Sequence, residues 1–290
     1  MMKTNVILAL LLGMVLQACA ITVTSDPKDA IVPSKNYITQ KMKVDNFEGI
    51  STSSSIDVKY TQTNGSTDVE VYAPENLMEY VKLEVEGGML KIFFYSEETG
   101  KGINIKGKHE TEVRISAQAV HSLRASSSGN IILKNGLQYE GEVSMKSSSS
   151  GDIKGGNILC EVLEIESSSS GDIELENVQC TSLITEASSS GDVSIQNVKA
   201  ETVSVEASSS GDVSLAGVCR SAKFESSSAG DIEADELKAE NVVAKASSAG
   251  DVTCYASESL DVSTSSAGNV GYKGNPKQIL HRSKGLKKMD

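Results

Sequence analysis

The sequence has no tryptophan, only 4% aromatic residues, three histidines and four prolines among its 290 residues. The shortage of aromatic side chains disfavours a polysaccharide-active β-helix enzyme, which needs a sugar-stacking platform beside an acid/base pair or a cation site. Three scattered histidines suggest no Ser-His-Asp set, and the Gly-x-Ser-x-Gly motif is missing. The sequence therefore predicts a protein that is not an enzyme.

Basic residues are also few, with 27 Lys and Arg against 39 Asp and Glu, so the formal net charge is −12. An acidic surface disfavours nucleic acid as a partner, and it disfavours direct adsorption to anionic lipid. The exception is the basic segment 273–290, for which we expect a solvated, frayed C-terminal tail.

Long apolar runs are lacking except near the start of the chain. Residues 1–18 contain an apolar stretch from Val6 to Leu16. This stretch is shorter than the ~20 residues that a membrane-spanning helix needs, and it predicts a secretory signal peptide.

The end of the signal peptide, Leu16-Gln17-Ala18-Cys19, resembles the bacterial lipobox, in which the cysteine is lipidated after cleavage. The alternative is ordinary cleavage near this point, with Cys19 as a bystander. The lipobox implies a lipid anchor on Cys19 that holds the chain on a membrane of the cell envelope. We expect this to be the outer membrane, with residues 19–36 as an extended tether.

What the sequence has in abundance is serine, in runs that precede Ser-Gly-Asp or a near copy of it about every twenty residues. The glycines of this repeat are Gly129, Gly151, Gly171, Gly191, Gly211, Gly230, Gly250 and Gly268. Self-similarity at such a period predicts a solenoid, in which each coil buries its apolar side chains only against its neighbours.

Apolar residues recur in columns that lie two apart within each coil, which is the strand period, and β-branched residues dominate them. Two residues after the glycine stand Ile131, Ile153, Ile173, Val193, Val213, Ile232, Val252 and Val270, and seven after it stand Ile158, Val178, Val198, Val218 and Leu237. The pattern predicts an all-β chain: a parallel β-helix (solenoid) with coils of about twenty residues over 126–272.

The turns of each coil are also visible in the repeat. We expect the glycine at a corner where a Cβ would not fit, and the asparagines in left-handed geometry at a second corner. These asparagines are Asn135, Asn157, Asn177 and Asn197.

The serine run has two interpretations: inward-facing small side chains, or a flexible linker. The strict period favours the first. If the strand alternation continues, two serine-rich columns face inward: Ser167, Ala187, Ala207, Ser226 and Ala246 four residues before the glycine, and Ser169, Ser189, Ser209, Ser228 and Ser248 two before it.

Residues 37–125 lack the period but contain alternating, strand-like stretches, and we expect a less regular β-rich region that caps the solenoid. Asn64-Gly65 and Gly87-Gly88 predict hairpin turns within it.

The stretch that begins FEGISTSSSIDVKY at Phe47, the SSSGD coils and Gly274-Asn275-Pro276 together resemble the head GIN domain family of auto-transporter adhesins, from about Asn46 to the end. The resemblance implies a right-handed β-helix, a lipoprotein of Bacteroides-like bacteria and a role in adhesion. It supplies no catalytic residues. The family's usual glycine-serine ending is replaced here by a lysine-rich segment, so the last coil is expected to be less regular.

One column of acidic residues is a candidate site: Asp152, Asp172, Asp192, Asp212, Asp231 and Asp251. Stacked carboxylates repel one another, and Ca²⁺ relieves such repulsion by oxygen ligation. The favoured alternative is that each aspartate caps backbone N–H groups at its own corner. No other cofactor is predicted.

A second column contains cysteines. Cys160 and Cys180 stand on adjacent coils, where a disulfide or simply two small buried side chains would fit the pattern.

Three functions remain open. The leading hypothesis is a non-enzymatic envelope lipoprotein, an adhesin that binds a glycan or protein ligand. The second is an envelope sensor or scaffold that binds a peptide, glycan or partner protein at its less regular N-terminal part. The third is the polysaccharide-active enzyme.

Overall fold

The computed structural model describes residues 30–281 and 284–290. This part of the chain is nearly all β, with a short 3-10 turn at Met78–Tyr80 and no α-helix. None of its helical segments is long and apolar enough to cross a membrane. Stacked parallel coils form a β-solenoid, which confirms the predicted fold class. The predicted signal peptide, Cys19 and the first part of the tether lie outside the described residues.

The strands are numbered in chain order. They are β1 Tyr37–Met42, β2 Gly49–Thr52, β3 Asp57–Gln62, β4 Asp68–Pro74, β5 Val81–Glu86, β6 Met89–Phe94, β7 Glu112–Ala117, β8 Ser122–Ala125, β9 Ile131–Leu133, β10 Leu137–Gln138, β11 Glu142–Ser147, β12 Ile153–Leu159, β13 Val162–Ser168, β14 Ile173–Gln179, β15 Ser182–Ser188, β16 Val193–Ser208, β17 Val213–Ser227, β18 Ile232–Ala246, β19 Asp251–Thr264, β20 Asn269–Lys273, β21 Gln278–His281 and β22 Leu286–Lys288.

The strands stack into two faces with the apolar columns between them as one core. Face one follows the glycines and runs β1, β4, β7, β3, β9, β12, β14, the first parts of β16 to β19, β20 and β22. Face two precedes the serine turns and runs β5, β6, β2, β8, β11, β13, β15, the second parts of β16 to β19, and β21. The pairs β1–β4, β4–β7 and β5–β6 are antiparallel, and the other pairs in these stacks are parallel.

The N-terminal part contributes a full coil to the stack, out of chain order. Strands β2 and β3 lie between β6 and β7 on one side and β8 and β9 on the other. Its turn reads Ser53-Ser54-Ser55-Ile56-Asp57, so the buried Ile56 takes the place of the repeat glycine. The sequence repeat does not reveal this coil because that glycine is absent.

The predicted hairpin at Asn64-Gly65 is wrong. Strands β3 and β4 flank this turn, but β7 is inserted between them and pairs with both. The hairpin at Gly87-Gly88 is confirmed, since β5 and β6 pair antiparallel across it and both glycines have positive φ.

The serine turns depart from the predicted alternation. The column four residues before the glycine is buried, as expected: Ser167, Ala187, Ala207, Ser226 and Ala246. The column two residues before it is exposed, so the inward prediction is wrong for Ser169, Ser189, Ser209, Ser228 and Ser248. The two residues before each of these coils' glycines have φ between +51° and +71°, and this left-handed pair ends the strand alternation.

The repeat glycines are required by space, as predicted. An added Cβ on Gly191 would lie 2.5 Å from the backbone nitrogen of Ser168 in the preceding coil, and one on Gly211 would lie 2.4 Å from that of Ser188. The left-handed conformation is taken by the preceding residues rather than by these glycines. At this position of the coil a side chain would therefore overlap the backbone of the preceding coil.

The apolar columns are buried as predicted, with one exception. Val218 is 48% exposed although it stands seven residues after its glycine. Its coil is one residue short, and Gly217, with φ of +127°, pairs with Val198 in its place. A one-residue shift moves a side chain to the opposite face of a strand, which turns Val218 outward.

The asparagine column does not use left-handed geometry, since none of the four has positive φ. Its members bond to each other instead: the Asn177 Nδ2 donates to Asn157 Oδ1 at 3.0 Å, and the Asn197 Nδ2 donates to Asn177 Oδ1 at 3.2 Å. This exposed amide ladder links three coils.

The basic C-terminal segment is not a frayed tail. Strand β21 pairs in parallel with β19, and β22 pairs with β20, so the segment continues both faces. Burial explains the difference: Leu286 packs against the core beside Val270, although lysines surround it in sequence.

We predict that Gly191→Ala lowers the free energy of unfolding by about 1–3 kcal/mol, because the new methyl group overlaps the backbone of the preceding coil. The matched control is Gly156→Ala, whose Cβ would meet only Glu176 Oε2, at 3.6 Å. Urea unfolding of both variants is the measurement. Equal losses would contradict the steric explanation and indicate that chain flexibility is what matters.

Candidate functional site

The aspartate column forms a hydrogen-bonded ladder along the edge of face one. In each step, Oδ1 of one aspartate accepts the backbone N–H of the aspartate in the next coil. The distances are 3.1 Å for Asp172 N to Asp152, 3.1 Å for Asp192 N to Asp172, 3.0 Å for Asp212 N to Asp192, 2.9 Å for Asp231 N to Asp212 and 2.9 Å for Asp251 N to Asp231. Capping of N–H groups was expected, but the capped group lies one coil away and not at the aspartate's own corner.

Asparagine and aspartate extend this aspartate ladder at both ends. Asn130 donates its backbone N–H to Asp57 Oδ1 and accepts that of Asp152, while Asn269 donates its own to Asp251 Oδ1. The side-chain amide oxygen of Asn130 therefore accepts a backbone N–H in the ladder, as the aspartate carboxylates do.

Repulsion within the aspartate ladder is partly offset by these bonds. Burial raises the pKa of Asp172, the hydrogen bond from the backbone of Asp192 lowers it, and the charges of Asp152 and Asp192 raise it further. The net pKa shift is upward, so the folded protein resists ionisation of this carboxyl group.

A groove lies on the outer side of face one, beside the aspartate ladder, where two glycines stand in β12. It has a volume of about 790 Å³, and we call it the glycine-pair groove. Gly156 occupies an outward position that holds Glu176 in the next coil, so the surface is hollow there. Gly155 stands in the inward column of the buried Leu133 and Leu175. The groove was not anticipated from the sequence, although the Gly-Gly break in two columns could have indicated it.

Charged side chains surround the glycine-pair groove. Asp172 and Asp192 of the aspartate ladder form one edge, and because the ladder uses Oδ1, their Oδ2 atoms stay outside it. Lys154 Nζ lies 2.9 Å from Glu174 Oε1 and 3.9 Å from Asp152 Oδ2. These pairs raise the pKa of Lys154, so its ammonium group is charged at neutral pH.

Two further cavities adjoin the glycine-pair groove. Lys134 also lines a cavity of about 400 Å³ that contains Glu112 and Arg114. Asn135 and Asn157 line another of about 460 Å³ at the second corner of the coil. The three cavities form a concave, mainly polar surface around the first coils of the regular repeat.

The comparison with family models finds one match, in two overlapping segments, residues 46–177 and 162–276, to the family described as "Putative auto-transporter adhesin, head GIN domain". Together the segments span most of the chain. The chain belongs to this family. The sequence resemblance is thereby confirmed.

Three solved structures show the same fold. They are a "putative lipid binding protein" and a "putative adhesin", both from Parabacteroides distasonis ATCC 8503 and both 21% identical to this chain, and a "putative adhesin" from Parabacteroides merdae ATCC 43184, 20% identical. Each match covers 90% of this chain and 99–100% of the other, with TM-scores of 0.61, 0.68 and 0.65 in the same order. At this identity the likeness establishes the fold alone. Among curated proteins nothing matches.

In this head GIN domain chain a second acidic column lies on the outer side of face two. Its members, Glu166, Glu186, Glu206 and Glu225, stack in register between Lys146 and Lys245. Lys146 is paired with Glu166, and Lys245 Nζ lies 2.7 Å from Glu225 Oε1. The lysines terminate the column and offset its charge at both ends.

The cysteine column is inert packing in this structure. Cys160 and Cys180 are buried free thiols, and no disulfide joins them. Burial raises the pKa of Cys160 to about 11 and that of Cys180 to about 12, so neither forms a thiolate at neutral pH.

We predict that Asp172→Asn raises the free energy of unfolding at neutral pH by about 0.5 kcal/mol, because it removes like-charge repulsion and keeps an acceptor for the Asp192 N–H. The gain should vanish in acid. The folded-state pKa of Asp172 is above its ordinary value of 3.8, so its ionisation destabilises the fold as pH rises, and below 3.8 both states are protonated.

The matched variant Asp172→Ala removes the charge and the acceptor together, and we expect it to be less stable than Asp172→Asn by about 1 kcal/mol. Thermal unfolding between pH 3 and pH 7 compares the two. If both variants behave alike, the hydrogen bond of the ladder does not contribute to stability.

Calcium binding by the aspartate column stays the untested alternative to capping of N–H groups. Among the residues that the structure describes, no group of three or more His, Cys, Asp or Glu is placed to hold a metal ion. We expect the melting temperature to be the same in Ca²⁺ and in chelator, because the backbone N–H groups already bond the carboxylates. A higher melting temperature in Ca²⁺ would instead support a structural ion column.

Proposed function

We propose that this chain is a non-enzymatic binding protein of the cell envelope, an adhesin that a lipid on Cys19 anchors to the outer membrane. The observation that supports binding most directly is the concave polar surface on face one, with the glycine-pair groove at its centre. Its charged side chains point outward from a rigid stack, which suits recognition of an external ligand.

Family membership supports the cell-surface part of the proposal, because the family is named for adhesion. The lipobox at Leu16–Cys19 supports the anchor. One structural neighbour is named for lipid binding, and that name concerns the neighbour alone. In this chain the groove is lined mainly by charged and amide groups, which favours a polar ligand over an acyl chain.

The arrangement of titratable groups supports a function without catalysis. In the described part of the chain, His121 Nε2 lies 3.5 Å from Glu48 Oε2 on an exposed surface, and His109 packs near the ring of Phe94. Neither ring is bonded to a serine or a cysteine, as a nucleophile with its base would be.

To test the proposal, the full chain and a Cys19→Ser variant would be produced in a bacterium that processes lipoproteins. We expect the full chain in the membrane fraction and the variant in the soluble fraction, since the anchor is covalent lipid. Cells with the anchored chain should adhere to immobilised matrix proteins or glycans, and cells with the variant should not.

Two outcomes would contradict the proposal. Equal membrane association of both forms would show that Cys19 is not the anchor. Absence of adhesion to every surface, together with co-purification of one envelope protein, would favour the sensor or scaffold hypothesis instead.

A further inference from the structure

The ligand class of the glycine-pair groove can be inferred from its shape, its charge and its surroundings. This inference rests on the proposed binding function and makes it more specific. The first observation is the hollow itself. In the column of Gly156 the next two coils carry Glu176 and Gln196, so a missing long side chain forms the floor of the groove.

The hollow is built into a rigid part of the fold. Strand β12 pairs on both sides, with β9 and with β14, so its backbone cannot move to close the space. The space around Gly156 is also open, since an added Cβ would meet only the Glu176 carboxylate, at 3.6 Å. No packing requirement of the core therefore explains this glycine.

The charged side chains of the groove determine whether it attracts a cationic or an anionic ligand. Four carboxylates, Asp172, Glu174, Glu176 and Asp192, line it with two ammonium groups, Lys134 and Lys154. Lys154 is already paired with Glu174, which leaves an excess of negative charge. Acidic ligands are repelled by such a surface, and ligands with amino groups are attracted.

The polar groups also select the chemical class. Carboxylate Oδ2 atoms accept hydrogen bonds from hydroxyl and ammonium groups, the Gln196 amide both donates and accepts, and the Asn157 Nδ2 and the Lys154 ammonium donate. The Asn135 amide lines the groove but is bonded to the backbone of Gln62 at both ends. Hydroxyl-rich ligands need this mixture. An extended peptide would need an unpaired strand edge or pockets for alternate side chains, and β12 offers no free edge.

We propose that the glycine-pair groove binds an oligosaccharide that carries amino groups and no acidic groups. Its ammonium groups contact the Oδ2 atoms of Asp172 and Asp192, and its hydroxyl groups bond to the amides at the opposite rim. The volume of about 790 Å³ is in the range of small-ligand pockets. The adjoining cavities leave room for the chain of sugars to continue past Lys134 or past Asn135 and Asn157.

The experiment is calorimetric titration of the purified chain with glucosamine oligomers, with their N-acetylated forms, with uronate-containing oligomers and with oligolysine. We expect binding of glucosamine oligomers, weaker binding of the acetylated forms and no binding of the acidic ones. High salt should weaken the interaction, since charge contributes to it.

Two groove variants test the location. Gly156→Gln places in the hollow the side chain that Gln196 has in the same column, and it should weaken binding about tenfold or more by filling the site. The double variant Asp172→Asn with Asp192→Asn keeps both ladder acceptors and should weaken binding by a similar factor. The matched controls on face two, Ser204→Gln and Glu206→Gln, should bind as the unchanged chain does.

Each other outcome overturns a defined part of the proposal. Binding that Gly156→Gln leaves unchanged, in a variant with an unaltered melting temperature, would place the sugar site elsewhere. Equal binding of acidic oligomers would refute the charge argument, and equally tight, groove-dependent binding of oligolysine would refute the sugar class. Adhesion to matrix proteins without binding of any oligosaccharide would refute this inference and leave the proposed function standing.

Discussion

The structure depends on one constraint, the short distance between coils that parallel backbone hydrogen bonding imposes. Neighbouring strands lie about 4.8 Å apart, so each residue of one coil lies at that distance from the equivalent residue of the next coil. At the serine turns of the regular repeat a side chain in the glycine position would overlap the backbone of the preceding coil, as Gly191 beneath Ser168 shows. The left-handed Ser-Ser or Ser-Ala pair before Gly151, Gly171, Gly191, Gly211, Gly230 and Gly250 turns the chain tightly at the same place and sends its own side chains to solvent.

Stacking also places each charged residue of the repeat next to its equivalents in the neighbouring coils. An aspartate in one coil becomes a row of carboxylates, and the charges of Asp152 and Asp192 add to the burial that raises the pKa of Asp172. Two arrangements offset the repulsion between these like charges. In the aspartate ladder a backbone N–H from the next coil bonds each carboxylate, while in the glutamate column of face two the lysines 146 and 245 stand at the ends. A polar surface of this kind keeps the sides of the stack hydrated, and the glycine-pair groove is a hollow within it.

Much of this was readable from the sequence, because a period of about twenty residues places equivalent side chains in columns. The buried column that begins with Ile131 and the glycine corner followed from it directly. Some errors recur in every coil, such as the inward direction predicted for Ser169 and its equivalents, because the left-handed turn ends the strand alternation. Other errors arise where one coil differs from its neighbours. Val218 turns outward because its coil is one residue short. The coil of β2 and β3 is not recognisable from the repeat because Ile56 replaces the glycine. The basic segment 273–290 forms strands because Leu286 packs against the core. The high positive charge of the segment gave no indication of this contact.

The sequence by itself determined the fold class, most of the inward apolar columns and the family, because each depends on a local pattern that repeats. Only the tertiary structure decided the order of coils, in which β2 and β3 enter the stack between β6–β7 and β8–β9. It also decided what the aspartates do, since their partners lie one coil away, about twenty residues along the chain. The groove also depends on neighbouring coils: Gly156 leaves a hollow because the next two coils carry Glu176 and Gln196 in the same column. Contacts between residues that are distant in sequence exist only once the coils are stacked. A local sequence pattern therefore does not predict them.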